Sequence, residues 1–172
     1  MAFTYVTEPG PVNIALFQVT HGLYILTAKQ DSKLNGQCID ALMQVTNAPP
    51  RIVVGVGNRS LTHDMVCDTG RFCVSVLDRE SPACGEVVRR FGFQSGRDVD
   101  KFDGFPHDVN ARGIPFLPDA VATYDCTVIP EMTVNLGTHS LFVASVDRAG
   151  TRESGEPLTY NEYRKNLRKE RS

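Results

Sequence analysis

Three groups of residues in this sequence combine side-chain type and spacing in ways suited to holding an anion or a polar ring. The first is Asn58-Arg-Ser-Leu-Thr-His63. It lies between a strand-like run and a capped helical segment, so unpaired backbone N–H groups and the positive end of a helix dipole face the loop. Arg59 adds fixed charge, and Ser60 and Thr62 add hydroxyl donors, a set that suits a phosphate. The same residues also make an ordinary N-cap beside a solvated arginine. The second group is Phe91-Gly-Phe-Gln-Ser-Gly-Arg-Asp-Val-Asp-Lys-Phe102. Arg97 and Lys101, four apart, clamp one anion if the chain turns helical after Ser95. The alternative is a solvated turn in which they pair with Asp98 and Asp100. The third is His139, in Gly137-Thr-His-Ser at a strand start. Its imidazole can donate to a ligand carbonyl or a reduced, anionic ring, or simply cap the strand.

Other chemistry is missing. No G-x-G-x-x-G follows a strand, and G-x-x-x-x-G-K-[ST], H-E-x-x-H and G-x-S-x-G do not occur. His21, His63 and His107 share no metal spacing. The five cysteines (Cys38, Cys67, Cys73, Cys84, Cys126) are odd in number and form no C-x-x-C pair, which argues against a zinc ribbon or a complete disulfide framework. Cys73 and Cys126 sit in strand-like runs as small core residues, while Cys38 and Cys67 can lie near a site.

The elements that must position these groups are mostly strands. Gly22–Ala28, Arg51–Gly57 after Pro49-Pro50, Phe72–Leu77, Ala120–Ile129 and His139–Val146 are rich in β-branched and aromatic residues. Short helices lie between them. Ser60 caps one through Asp68, with Gly70 placed to end it in a left-handed turn. Ser81-Pro82 opens another toward Phe91. Thr159-Tyr-Asn-Glu162 has capping-box spacing and starts a basic helix to about Lys169. Gly36–Val45 fits either a helix or a bent strand, and Gly104–Pro118 reads as a long surface loop. Without a βαβ rhythm, the pattern points to a closed or partly closed antiparallel barrel with helices at its ends.

At 172 residues the chain suits one domain. Its 41% hydrophobic and 22% charged residues are the balance of a globular protein. A net charge of −2 argues against a general nucleic-acid binder. There is no signal-peptide pattern and no run of about 18 apolar residues to span a membrane, so a cytoplasmic protein is expected. The basic stretch Arg164, Lys165, Arg168, Lys169 and Arg171 reads as the solvated side of a terminal helix.

Taken in order, Gly22–Ala28, Lys33-Leu-Asn-Gly-Gln, Gln44-Val-Thr with Pro49-Pro50, Asn58–His63, Phe91–Phe102, Gly137-Thr-His-Ser-Leu-Phe and Gly155-Glu-Pro-Leu-Thr-Tyr resemble the flavin reductase-like, FMN-binding split-barrel family. The branch they most resemble is that of the flavoredoxins and high-molecular-weight rubredoxin-like NAD(P)H:flavin oxidoreductases. The resemblance runs over about residues 20 to 163.

That resemblance implies a mainly β fold, a split antiparallel β-barrel with a few short peripheral helices, forming a single domain over residues 1–172. It implies an oxidoreductase passing electrons from NADH or NADPH through FMN to a flavin, a redox protein or a metal acceptor, by hydride transfer to the flavin N5. The family also includes FMN-binding electron carriers with little nicotinamide oxidation of their own. By position, Asn35 and the turn Gly36-Gln37-Cys38 face the isoalloxazine ring, with Ala41 beside it. Asn58, Ser60 and Thr62 hold the phosphate, helped by Arg97 or Lys101, and His139 lies near the ring and the nicotinamide. The family's homodimers carry FMN near the subunit interface. Ala41 stands where some relatives place a large aromatic. Past Tyr163 the sequence shows no rubredoxin module, so delivery to a second module in this chain is not expected.

Overall fold

The computed structural model describes residues 2–167. Its main sheet is antiparallel and contains β1 (Tyr24–Gln30), β2 (Lys33–Ile39), β3 (Leu42–Asn47), β4 (Pro50–Gly57), β5 (Arg71–Val76), β8 (Ala122–Val128) and β10 (His139–Thr151). They pair in the order β2-β1-β5-β8-β10-β4-β3, and the short β9 (Val134–Asn135) adds to β10. β2 and β3 stand at opposite ends of this path, yet only Asp40 and Ala41 separate them in the chain. The sheet must therefore curl until its ends meet. Where the ladder breaks, helix α2 (Leu61–Thr69) packs against β1, β2 and β4. The fold is a split antiparallel β-barrel with short helices around it.

Gly36–Val45, open from sequence, forms β2 and β3 with a bend at Asp40–Ala41. Ala41 accepts a hydrogen bond from the Gly55 N–H at 2.8 Å, which fixes that bend to β4.

The barrel interior holds Leu26, Ala28, Val54, Val56, Phe72, Val74, Phe142 and Ala144, closed on one side by Met65 and Val66 of α2. A second apolar layer lies outside the sheet. There α3 (Cys84–Phe93) buries Cys84, Val87, Val88 and Phe91, one helical face, against Ile25, Leu77, Phe102, Leu117 and Leu158. β1 and β5 are covered on both faces, which is why Gly22–Ala28 reads as a continuous apolar run rather than an alternating one.

The local capping signals are realised unevenly. Ser60 Oγ accepts from the His63 N–H at 3.1 Å, and Gly70 takes φ +65° at the C-terminus of α2. Thr159 and Glu162 form the reciprocal capping box, but only the short α4 (Tyr160–Glu162) and a π-helical turn (Tyr163–Leu167) follow. The basic residues from Arg168 on lie outside the described residues. The helix expected from Ser81 starts later, at Cys84, because Ser81 belongs to a turn: its N–H donates to the Asp78 carbonyl and its Oγ accepts from the Ala83 N–H.

The span 104–118 is only partly a surface loop. It contains the hairpin β6 (Asp108–Val109) and β7 (Pro115–Phe116) and buries Ile114 and Leu117. Buried Thr27 and Ser75 hold it to the barrel, through the Pro115 carbonyl and the Leu117 N–H respectively. At the N-terminus, α1 (Pro9–Leu16) buries no residue. Among the described residues no helix is long and apolar enough to cross a membrane.

Candidate functional site

An open cleft of about 550 Å³ lies where the N-terminus of α2, strand β2, the end of α3 and the start of β10 meet. That size is within the range of small-molecule and cofactor sites. Its walls include Asn35, Gln37, Cys38, Arg59, Ser60, Thr62, Lys101 and His139.

Three polar side chains of this wall are almost fully buried: Asn35 is 2% exposed, Thr62 1% and Lys101 3%. Asn35 Nδ2 donates to Thr62 Oγ1 at 2.8 Å. Since Thr62 Oγ1 accepts there, its own hydroxyl proton is left to donate elsewhere. Beside it, the first-turn N–H groups of α2 lack carbonyl partners within the helix, and the dipole adds positive potential. Asn35 is confined from the other side, because a Cβ on Gly96 would stand 2.1 Å from its Oδ1.

Lys101 is held by two carbonyls: its Nζ donates to Gly36 O at 2.9 Å and to Phe91 O at 3.3 Å. Phe91 lies in the last turn of α3, where carbonyls lack helical partners and the dipole favours a cation. The segment that carries Lys101 is pinned in turn. Arg90 Nη1 donates to the carbonyls of Lys101 and Asp103, each at 3.2 Å, with its guanidinium 5.0 Å from the Phe105 ring centroid. Phe91, Phe102 and Phe105 pack together beneath it. No carboxylate pairs with Lys101 among the described residues. Burial pulls its pKa down from 10.5 to about 8. A buried ammonium without a counter-ion, facing a cleft with a third N–H to donate, is a site that gains from an anion.

Cys38 lines the same wall. Burial, with smaller contributions from Asp40 and Cys84, pushes its thiol up to about 12, so it stays protonated near neutrality. His139 stands exposed at the mouth, opposite Gly57 in the β10–β4 ladder and 3.0 Å from Thr138 Oγ1 through Nδ1. At residue 57 a Cβ would come within 3.6 Å of the His139 ring, so glycine leaves that edge of the cleft open.

Other residues expected around a ligand are engaged differently. Arg97 donates to Asp64 Oδ2 at 2.5 Å and holds that carboxyl below its usual range, with His63 adding to the effect. The chain after Ser95 is a turn rather than a helix, so Arg97 and Lys101 do not share a helical face. Neither pairs with Asp98 or Asp100 among the described ion pairs; Arg97 instead ties the Ser95–Gly96 wall to α2. Asn58 does not line the cleft: its side chain bonds Gly137 O, Asn135 and Ser140. Ala41 lies outside the cleft, and its methyl would be 2.9 Å from a Cβ on Gly55. Gly36 contributes its carbonyl through Lys101 and leaves little room for a side chain, since a Cβ would stand 3.1 Å from Thr27 Cγ2 and 3.2 Å from the Phe91 ring. The stretch Phe91–Phe102 stands out in the sequence for Arg97 and Lys101, but it also walls the cleft through Phe91, Gln94 and Gly96, which the packing of α3 on β2 brings there.

A flavin mononucleotide needs phosphate donors at one end and a wall of backbone and amide groups along a flat ring. The donor set here fits it: Ser60, Thr62, Arg59 and the α2 N-terminus form one end, and Asn35–Cys38 with Lys101 form the wall.

Comparison with known proteins gives the same direction. Residues 16–167 match the flavin reductase like domain. A high molecular weight rubredoxin of Moorella thermoacetica is 40% identical over 149 residues, covering 87% of this chain and 64% of that protein, just under two thirds of its length. A ferric-chelate reductase (NAD(P)H) of Archaeoglobus fulgidus is 35% identical over 150 residues, covering 87% and 86%. Among solved structures, an NADH:FAD oxidoreductase of Streptomyces globisporus superposes with a TM-score of 0.81 at 21% identity, covering 92% of this chain and 93% of that one. With the domain match spanning nearly its whole length, and a 35% identical relative matched over most of its own, this chain belongs to the flavin reductase-like family.

Proposed function

We propose that the chain is an FMN-dependent oxidoreductase that draws electrons from NADH or NADPH through FMN and passes them to a flavin, a redox protein or a metal acceptor. The observation that carries this reading is the cleft in which the α2 N-terminus, the Thr62 hydroxyl and the buried Lys101 ammonium converge with His139 at the mouth.

FMN, when bound, supplies the acceptance of a hydride and its onward release as electrons. The chain's residues bind, orient and exclude water. Ser60, Thr62 and Arg59 hold the phosphate through hydroxyl, guanidinium and first-turn N–H donors. Asn35, Gly36, Gln37 and Cys38 present strand β2 to the ring. Lys101 places positive charge at that wall, where it favours a more electron-rich, anionic ring. His139 donates from the mouth to the ring or to a nicotinamide. No side chain acts as a nucleophile, and a Cys38 held as thiol suits that arrangement.

A homodimer with FMN near its interface belongs to the same reading. It is supported by apolar residues left in water on one protomer: Phe3, Tyr5, Ile14, Leu16, Met43 and Leu136 are all more than half exposed. A reducing, cytoplasmic setting accords with five unpaired cysteines. The direct test is the absorption spectrum after incubation with FMN and desalting, followed by anaerobic titration with NADH and NADPH. A flavin spectrum bleached by either nucleotide is expected. A colourless protein overturns the reading; a flavoprotein that neither nucleotide bleaches overturns the enzymatic part.

A further inference from the structure

His63 does not line the cleft, yet its ring begins a chain of hydrogen bonds that crosses from α2 to β10. The ring is part-buried, packs 5.5 Å from the Phe142 ring, and sets Nε2 2.9 Å from Ser140 Oγ. Ser140 Oγ is 2.9 Å from Asn58 Oδ1, and Asn58 Nδ2 is 2.9 Å from Gly137 O. The proton directions follow from the far end. A carbonyl only accepts, so the Asn58 amide nitrogen faces Gly137 and its oxygen faces Ser140. That oxygen also only accepts, so the Ser140 proton goes to Asn58, and Ser140 Oγ must accept from His63. His63 therefore carries a proton on Nε2. Its Nδ1 faces Asp64 Oδ1 at 3.4 Å.

The chain ends on the turn that carries His139. Two backbone bonds complete the attachment: Asn58 N–H to Thr138 O at 3.0 Å, and Leu136 N–H to His139 O at 2.8 Å. Gly137 sits at φ +86°, a left-handed position that lets the turn present its carbonyl to Asn58.

We propose that His63 is a positioning residue. Through Ser140 and Asn58 it locks the Asn135–His139 turn to the start of α2 and so fixes where His139 stands relative to the anion-holding end of the cleft. The inference rests on the proposed role of His139 at the ring and nicotinamide.

The test compares His63→Leu, which removes the donor, with His63→Gln, which retains one, each in the FMN-loaded protein. Amide hydrogen exchange at Asn58 and Leu136 reads the anchoring, and the KM for NADH or NADPH reads its consequence. In His63→Leu both amides should exchange about tenfold faster and KM should rise about tenfold, the loss of one networked hydrogen bond. FMN affinity should stay within about twofold, because the α2 donors are untouched. His63→Gln should return both quantities toward wild type. If His63→Leu does not fold, Ser140→Ala breaks the same chain at its middle and should give the same pair of effects. Unchanged exchange at Asn58 and Leu136, or faster exchange without a change in KM, overturns the proposal. So does an equal rise across the whole barrel that His63→Gln fails to correct. Failure of the flavin reading appears instead in the wild-type spectrum, so the two are told apart.

Discussion

Lys101 is the residue whose chemistry departs furthest from its ordinary state, and the departure has a measurable sign. Its ammonium sits between two carbonyls with no carboxylate partner among the described residues, with a pKa near 8 rather than 10.5. Between about pH 8 and 10.5 the unfolded chain holds a proton there that the folded apo-protein has lost. The contribution of Lys101 to stability therefore rises with pH across that window and is at its least favourable below it. The ligand dependence runs the other way. An anionic ligand prefers the ammonium, so FMN affinity should weaken as pH rises through about 8 in the wild type and should be flat there in Lys101→Met. Fluorescence titration of FMN across that range checks it; identical pH profiles for the two proteins would count against Lys101 as a ligand group. Residue types were legible here and residue states were not. Lys101 could be picked out as a cation near Arg97, but its burial depends on Phe91, Gly36 and Arg90 arriving from three other segments.

At the scale of elements, the short-range signals were the ones the sequence expressed clearly. Ser60 and Gly70 bracket α2, and Thr159 with Glu162 starts α4, because each depends only on neighbours within a turn. Ser81 misled because the same hydroxyl serves a turn as readily as a helix cap. The division of 36–45 into two strands could not be read locally, since it is imposed by closure of the barrel around Asp40–Ala41. The turn at Ser95–Arg97 is the element on which the cleft most depends. It brings Gly96 against Asn35 and is tied to α2 by Arg97 and Asp64. Gly96→Ala would place a Cβ inside the Asn35 amide, so Asn35 must swing away from Thr62. FMN affinity should then fall about tenfold and the melting temperature by a few degrees, the loss of one buried hydrogen bond. Calorimetric titration with thermal melting measures both; unchanged affinity would mean that Asn35 does not orient Thr62.

For the molecule as a whole, the barrel and its outer layer account for the buried apolar residues, and the remainder point outward. Helix α1 buries nothing, and Met43 and Val45 of β3 lie exposed on a terminal strand of the sheet. Terminal strands with apolar faces pair or are covered. Sedimentation velocity should give a particle of twice the 19.0 kDa chain mass, and the double substitution Met43→Lys, Val45→Lys should shift it toward monomer. A wild-type monomer would contradict this. Fold class was legible at this scale from strand-rich segments without a βαβ rhythm. The exposed N-terminal face was not, because apolar residues in a sequence do not say which layer will cover them.

The most direct measurement is a parallel fluorescence titration with FMN and riboflavin, which share the ring and differ in the phosphate. If the α2 N-terminus, Thr62 and their neighbours form a phosphate site, FMN should bind at least about a hundredfold more tightly than riboflavin, as two or more charge-assisted hydrogen bonds imply. Thr62→Val should reduce that ratio by about tenfold or more. Equal binding of the two flavins by the wild type, or a ratio that Thr62→Val leaves intact, would contradict the account.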